Sequence, residues 1–135
     1  MMLSDESRIL AGILLLSLVT VESGGVYLLQ IVRGKAGVTP FQEKFARAGH
    51  AHAGVLLIVA LLCQLYADAA DLSGLLDWLA RTGAAIAALL MPGGFFLSSM
   101  GAGRHHPNRL VVMIPAGAVV LAAGLVSLGV GLLVG

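Results

Sequence analysis

Charge is scarce in this sequence. Asp, Glu, Lys and Arg together make up 11% of its 135 residues, and the net charge is +1. A soluble domain carries roughly a quarter charged residues, so this chain cannot cover itself with an ordinary water-facing surface. It also has no bulk basic character with which to grip a nucleic-acid backbone, and no nucleic-acid partner is expected. The single cysteine excludes an internal disulfide and any Cys-based zinc site. The sequence has no phosphate-binding glycine loop, no nucleophile elbow, no His-Glu-x-x-His and no basic aromatic patch. Ser98 and Ser99 have no evident base nearby, so a hydrolase reading is poor and no enzymatic reaction is assigned.

The chain is instead rich in apolar residues, at 59% of the total, with a mean hydropathy of +0.98. Leu, Ala, Gly and Val dominate, which is not the composition of a disordered chain. A helix crosses a hydrocarbon core of roughly 30 Å with about 20 apolar residues. Four stretches meet that length: Ile9–Val32, Ala46–Ala67, Leu75–Met100 and Leu110–Val134. Their apolar runs are continuous, whereas a membrane barrel strand alternates. The expected fold is therefore all-α, an antiparallel up-down four-helix bundle forming one integral-membrane domain over residues 1–135. The first span is too long for a signal-peptide core, and Asp5 and Glu6 stand where a signal peptide has basic residues. No cleavable leader is expected.

The links set an orientation. Arg33, Lys35, Lys44, Arg47, Arg104 and Arg109 fall on one side. The other side has Arg8 and Arg81, with Asp5, Glu6, Asp68, Asp71 and Asp77. The positive-inside rule then places both basic links in the cytoplasm and both termini outside. The expected location is a bacterial inner membrane, with lipid as the surrounding partner.

Span ends carry further signals. Thr39-Pro40-Phe41-Gln42 has the capping-box pattern with Pro at the first helical position, so the second helix should begin near Pro40. Pro92-Gly93-Gly94 should kink or unwind the third span. His106-Pro107-Asn108 reads as the turn before the fourth. Gly117, Gly124 and Gly131 recur as one stripe, and Ala84 and Ala88 lie a turn apart. Such small residues let membrane helices approach closely.

Ionisable groups inside a span are costly and mark candidate sites. Glu22 lies about 11 residues, or roughly 16 Å, from Arg33. His50 and His52 lie just inside Arg47, roughly 9–12 Å beyond Lys44. Gln64 and Cys63 lie deeper on the same helix. At about 100° per residue, His50 shares a small, polar face with Gly54 and Gln64, while His52 lies about 200° away among Phe41, Phe45 and Leu56. Two histidines at i and i+2 on a regular helix cannot chelate one ion, so one of them, His50, should face the bundle interior. Thr20, Ser23, Gly24 and Tyr27 form one stripe of the first helix, and Glu22 points nearly opposite. Either that helix has two protein contacts or Glu22 faces a second subunit. Plainer roles compete: Glu22 as a hydrogen-bonded glue between helices, His50 as a satisfied core histidine, and His52 as an interfacial one. His105 and His106, beside Arg104, read as solvated or headgroup-facing.

Imidazole is a common metal ligand and a usual axial ligand of haem iron. The candidate metal set is His50, His52 and Glu22. The segment Arg47-Ala48-Gly49-His50-Ala51-His52, with the apolar run Val55 to Leu62, resembles the second-helix stretch of haem-copper oxidase and nitric-oxide-reductase catalytic subunits. An Arg-x-x-His element there can open a helix whose histidine ligates a low-spin haem. The resemblance implies a cofactor site of His50 as ligand and Arg47 beside it, with His52 and Glu22 as further candidates. It covers only Arg47 to Leu62, and the other three spans hold no histidine. A second ligand would have to come from a symmetric dimer, or the haem would be five-coordinate. The whole chain also resembles small four-span proteins of unknown function from high-GC bacteria.

The sequence thus points to a membrane protein with an intramembrane Glu/His site for haem b or a transition metal, accessory to respiration. The alternatives are a proton- or cation-coupled transporter or channel subunit, and a structural assembly subunit. A homo-oligomer, or a place in a larger membrane complex, is expected. The topology has a direct check. With Cys63 replaced, a cysteine at Gly37 should resist membrane-impermeant maleimide in intact cells while one at Ser4 reacts. The reverse pattern would invert the orientation.

Overall fold

The computed structural model describes residues 3–134. It contains four long helices: α1 (Asp5–Val32), α2 (Pro40–Ala67), α3 (Gly74–Ser99) and α4 (Met113–Val134). A short 3₁₀ turn at Arg109–Val112 leads into α4, and the described residues contain no strand. All four helical segments are long and apolar enough to cross a membrane.

Local chemistry explains the boundaries. The helix α1 begins at Asp5, a turn before the expected span, because the Ser4 hydroxyl caps it by accepting from Ser7 N at 3.2 Å. Asp5 and Glu6 then sit at the positive end of the helix dipole. The start of α2 falls at Pro40, as the sequence predicts. Its capping box is complete: Gln42 N donates to Thr39 Oγ1 at 3.2 Å and Thr39 N to Gln42 Oε1 at 3.1 Å. Asn108 caps the 3₁₀ turn through a 2.8 Å bond from Leu110 N. At Pro92 the sequence suggests a kink or an unwinding, and the second does not occur: α3 is one helix from Gly74 to Ser99. Pro92 is buried, and a Cβ on Gly94 would stand 2.7 Å from Ile114 Cγ1. Close packing against α4 holds the segment helical despite the lost backbone bond.

Lipid tails are as apolar as leucine, so helices in a bilayer associate through close fit rather than hydrophobic burial. The α3–α4 contact follows that rule. A Cβ on Gly124 would come within 2.7 Å of Leu79 O, and one on Gly83 within 2.9 Å of Gly124 Cα. Cβ atoms on Gly117 and Gly131 would collide with Met91 and Leu72. The glycine stripe predicted from the sequence is therefore the seam on which α4 seats. Between α2 and α3, Gly49 faces Phe95 and Phe96, and Ala60, Ala80 and Ala87 are wholly buried. These alanines centre a core with Leu56, Leu57, Cys63 and Leu128.

The contact of α1 with α2 has a different pattern. Ser7, Leu10, Leu14, Ser17, Val21, Gly24, Leu28 and Ile31 are all buried or half-buried, and they repeat at the alternating three-and-four spacing of a coiled-coil seam. The Thr20–Ser23–Gly24–Tyr27 stripe is split: Gly24 lies in this seam, while Thr20, Ser23 and Tyr27 are exposed. Two of the hydroxyls are already used: Thr20 Oγ1 donates to Ser17 O and Ser23 Oγ to Thr20 O, each at 2.6 Å. They need no partner helix.

The glycine seam generates a test. Gly124→Val should lower stability by about 1–3 kcal/mol through overpacking, read as a drop in Tm in detergent. Gly129 has open space around it, so Gly129→Val on the same helix should leave Tm nearly unchanged.

Candidate functional site

His50 occupies a notch in α1. A Cβ at Gly24 would lie 3.0 Å from His50 Nδ1, and one at Gly25 would lie 3.7 Å from Cε1 and 3.8 Å from Nε2. Two consecutive glycines thus make the space that the imidazole fills, half-buried between α1 and α2. No side-chain hydrogen bond ties either ring nitrogen to the described residues. Arg47, one turn earlier, pairs with Glu43 at 2.7 Å in an exposed i,i+4 contact, a type worth about 0–1 kcal/mol. It does not reach His50.

The sequence assigns only His50 to the bundle interior, and the structure corrects this. His52 also faces a neighbour, because α2 lies between α1 and α3 and has two packed sides. Its ring centroid is 5.0 Å from that of Phe95, within a row of aromatics formed by Phe41, Phe45 and Phe95. His52 Nδ1 lies 2.8 Å from Ala48 O. A carbonyl can only accept, so Nδ1 carries the proton and Nε2 is the nitrogen left free. That is the orienting contact a ligand histidine uses, and it belongs to His52 rather than His50.

Glu22 is exposed on α1, outside the seam with α2. The arrangement therefore places His50 against α1, His52 against α3 and Glu22 on the outer surface, and does not bring the three together. Among the described residues no group of three or more His, Cys, Asp or Glu side chains could hold a metal ion. A transition-metal site within one chain does not fit this donor geometry.

The most strongly built polar site lies elsewhere, where the start of α1, the end of α2 and the start of α3 meet. Arg81 Nη1 donates to Asp68 Oδ1 at 2.7 Å and to Ser7 Oγ at 2.6 Å, and Nε donates to Asp77 Oδ1 at 2.8 Å. The side chains of Arg81 and Asp68 are only 13% and 8% exposed. Ser4 supplies Asp68 with two more bonds, from its amide to Oδ2 and its hydroxyl to Oδ1, each at 2.9 Å. Ser7 is wholly buried, and its hydroxyl lies 3.0 Å from Asp68 Oδ1 and 3.2 Å from Gln64 O. Gln64, also wholly buried, donates through Nε2 to Ala60 O at 3.1 Å and Arg81 O at 2.7 Å. Its Oε1 is buried with no hydrogen-bond partner.

Burial would raise the pKa of Asp68, but hydrogen bonds from Arg81, Ser4 and Ser7 outweigh it and hold the carboxyl at about 2. The sequence analysis treats Arg81 as a charge of the outer link. The missed signal is that Arg81 falls inside the predicted third span, one turn after Asp77. An arginine in an apolar helix with an i−4 carboxylate marks a polar network, not a loop.

The chain matches no family model, no curated protein and no solved structure. Arg81 gives two testable consequences. Arg81→Leu leaves Asp68 buried without its cation and should cost about 3–5 kcal/mol, measured by denaturation in detergent. Asp68 is depressed in the folded state, so its contribution is full above the ordinary carboxylate pKa of about 4 and fades as pH falls through about 2. Between those values wild type should lose Tm with acid, while Asp68→Asn should start lower and change less.

Proposed function

We propose that this protein is a multi-pass protein of the bacterial cell membrane that acts as a self-associating structural subunit, with α1 as the joining helix. The helices run up and down antiparallel, with both termini outside. End-to-end contacts favour this path: Ser4 meets Asp68 and Arg81 at one end, and Gln42 meets Ser99 and Gly101 at the other. The basic links then lie on the cytoplasmic side.

The observation that carries the reading is Glu22. It is exposed near the middle of a membrane helix, where an isolated charge costs about 2.5–3.5 kcal/mol or more. Its row along α1 is Gly12, Leu15, Val19, Glu22, Val26 and Leu29, all exposed. Their spacing alternates four and three, so this is a second seam of the same type as the one that seats α2. A single polar residue in an otherwise apolar seam fixes register and oligomeric state. A second copy meets these needs: parallel α1 helices bring two Glu22 carboxyls to one depth, where they hydrogen-bond to each other.

Val26→Cys in a cysteine-free background tests this. It should cross-link into dimers in native membranes. Glu22→Gln should preserve the product, and Glu22→Leu should reduce it, by the several-fold that about 1–2 kcal/mol of interhelical hydrogen bonding implies. Monomers at Val26, with cross-links from a cysteine on α4 at Val119, would move the joining surface and sink the proposal.

A cofactor reading is favoured by one observation, the free Nε2 of His52. Haem b would take one imidazole from each of two copies and serve respiration as an accessory. A Soret band in protein purified from haem-replete cells, lost in His50→Ala or His52→Ala, would support it. A colourless wild type would end it and leave the structural role standing.

A further inference from the structure

We propose that the cavity between the α1–α2 link, the start of α2 and the end of α3 binds the phosphodiester headgroup of an anionic phospholipid. The cavity holds about 330 Å³ and is lined by Tyr27, Val38, Gln42, Phe96, Gly101 and Ala102 among others. The proposal rests on the membrane placement above, which puts these helix ends at headgroup level.

The loop that closes the cavity is fixed in shape. Gln42 Nε2 donates to Ser99 O at 2.9 Å and Gly101 O at 2.7 Å. The Thr39 hydroxyl donates to Arg104 O, and Arg104 Nε donates to Met100 O at 2.6 Å. These bonds use the loop's carbonyls. The amides of Gly101, Ala102 and Gly103, by contrast, donate to no backbone carbonyl among the described residues. Gly101 and Gly103 have φ of +116° and +62°, a left-handed geometry that glycine adopts without strain. The loop therefore keeps three amide donors, while the carbonyls of Ser99, Met100, Gly101 and Arg104 are taken. Arg104 lies against it, with Nε 3.3 Å from where a Cβ of Gly101 would stand, and its terminal nitrogens make no hydrogen bond to the described residues.

The surroundings select an anion. Arg33, Lys35, Lys44, Arg47, Arg104 and Arg109 lie at this end, and the only nearby carboxylate, Glu43, is paired with Arg47. None of these basic side chains lines the cavity itself; they surround it with the positive potential that draws anionic headgroups. The lining selects a lipid over a free anion. Phe96, Val38 and Ala46 supply apolar wall, while Gln42, Ser99 and the Tyr27 hydroxyl supply polar groups. A phosphate with attached acyl chains uses both kinds of surface, and inorganic phosphate uses only one.

The full chain, delipidated in mild detergent, is offered phosphatidylglycerol, phosphatidylcholine or inorganic phosphate. Bound lipid is counted by native mass spectrometry, with Tm followed in parallel. Phosphatidylglycerol should be retained and should raise Tm, phosphatidylcholine should be retained at least about fivefold less, and inorganic phosphate should neither raise Tm nor displace the lipid. Arg104→Gln should reduce retention about fivefold. Arg109→Gln, the same charge change at the same end, should leave retention nearly unchanged. Gly37 lines the cavity and has open space where its Cβ would be, so Gly37→Trp should fill it and abolish retention. Should that variant misfold, the Arg104 and Arg109 pair still decides.

Equal retention of the two lipids overturns the proposal. So does equal loss in Arg104→Gln and Arg109→Gln, which is diffuse attraction to a basic surface. Displacement by inorganic phosphate would make this a free-anion site and would also overturn it. The membrane placement fails separately, if alkaline washing without detergent releases the protein from membranes.

Discussion

Arg81 is a cation inside an apolar helix, and one end of the molecule is arranged around it. Its neutralisation draws on three helices: Asp77 from its own turn, Asp68 from the end of α2, and Ser4 and Ser7 from the start of α1. Asp68 is itself held by Ser4 and Ser7, so neither Arg81 nor Asp68 is satisfied by a single neighbour. Buried ion pairs are weak sources of net stability but severe when broken. The network therefore specifies which helices meet, while the glycine and alanine seams decide how closely they lie.

The molecule divides by the kind of contact it uses. The pairing of α2, α3 and α4 is a fit of small residues, with glycine backbone against backbone at Gly83 and Gly124 and wholly buried alanines between α2 and α3. Such surfaces tolerate little displacement. The helix α1 is joined by a narrow side-chain seam and by the Arg81 network, and little of its apolar length is buried. His50 belongs to this second kind of contact. It is seated only because Gly24 and Gly25 leave out two side chains.

Features governed by local rules were legible in the sequence. Span length, the Thr39–Gln42 capping box, the Asn108 turn and the Gly117–Gly124–Gly131 seam each depend on residues within a few turns of one another. At Pro92 the helix does not unwind, because packing of Gly93 and Gly94 against Met113 and Ile114, remote in sequence, holds the segment helical. The site was less legible for the same reason. Ser7 and Arg81 are 74 residues apart, and nothing in either local sequence names the other. Helical angles correctly separated His50 from His52. They could not reveal that α2 is flanked on both sides, so that the His52 face, left out of the bundle interior by that reading, packs on Phe95. The seam through Val21 and Gly24, visible once α1 is aligned with α2, leaves Glu22 exposed on the other side of α1.

The order in which a ribosome delivers these residues gives the Arg81 network a timetable. Ser4, Ser7 and Asp68 all emerge before Arg81, and their shared cation is missing until α3 is made. During that interval α1 and α2 are already long enough to enter the bilayer, yet the acceptors of Asp68 have only the serine donors. The start of α1 is thus made first, yet it gains its full set of partners only once α3 has been made. Any nascent chain that stops before residue 81 carries the Asp68 carboxylate without the arginine that pairs with it in the finished fold.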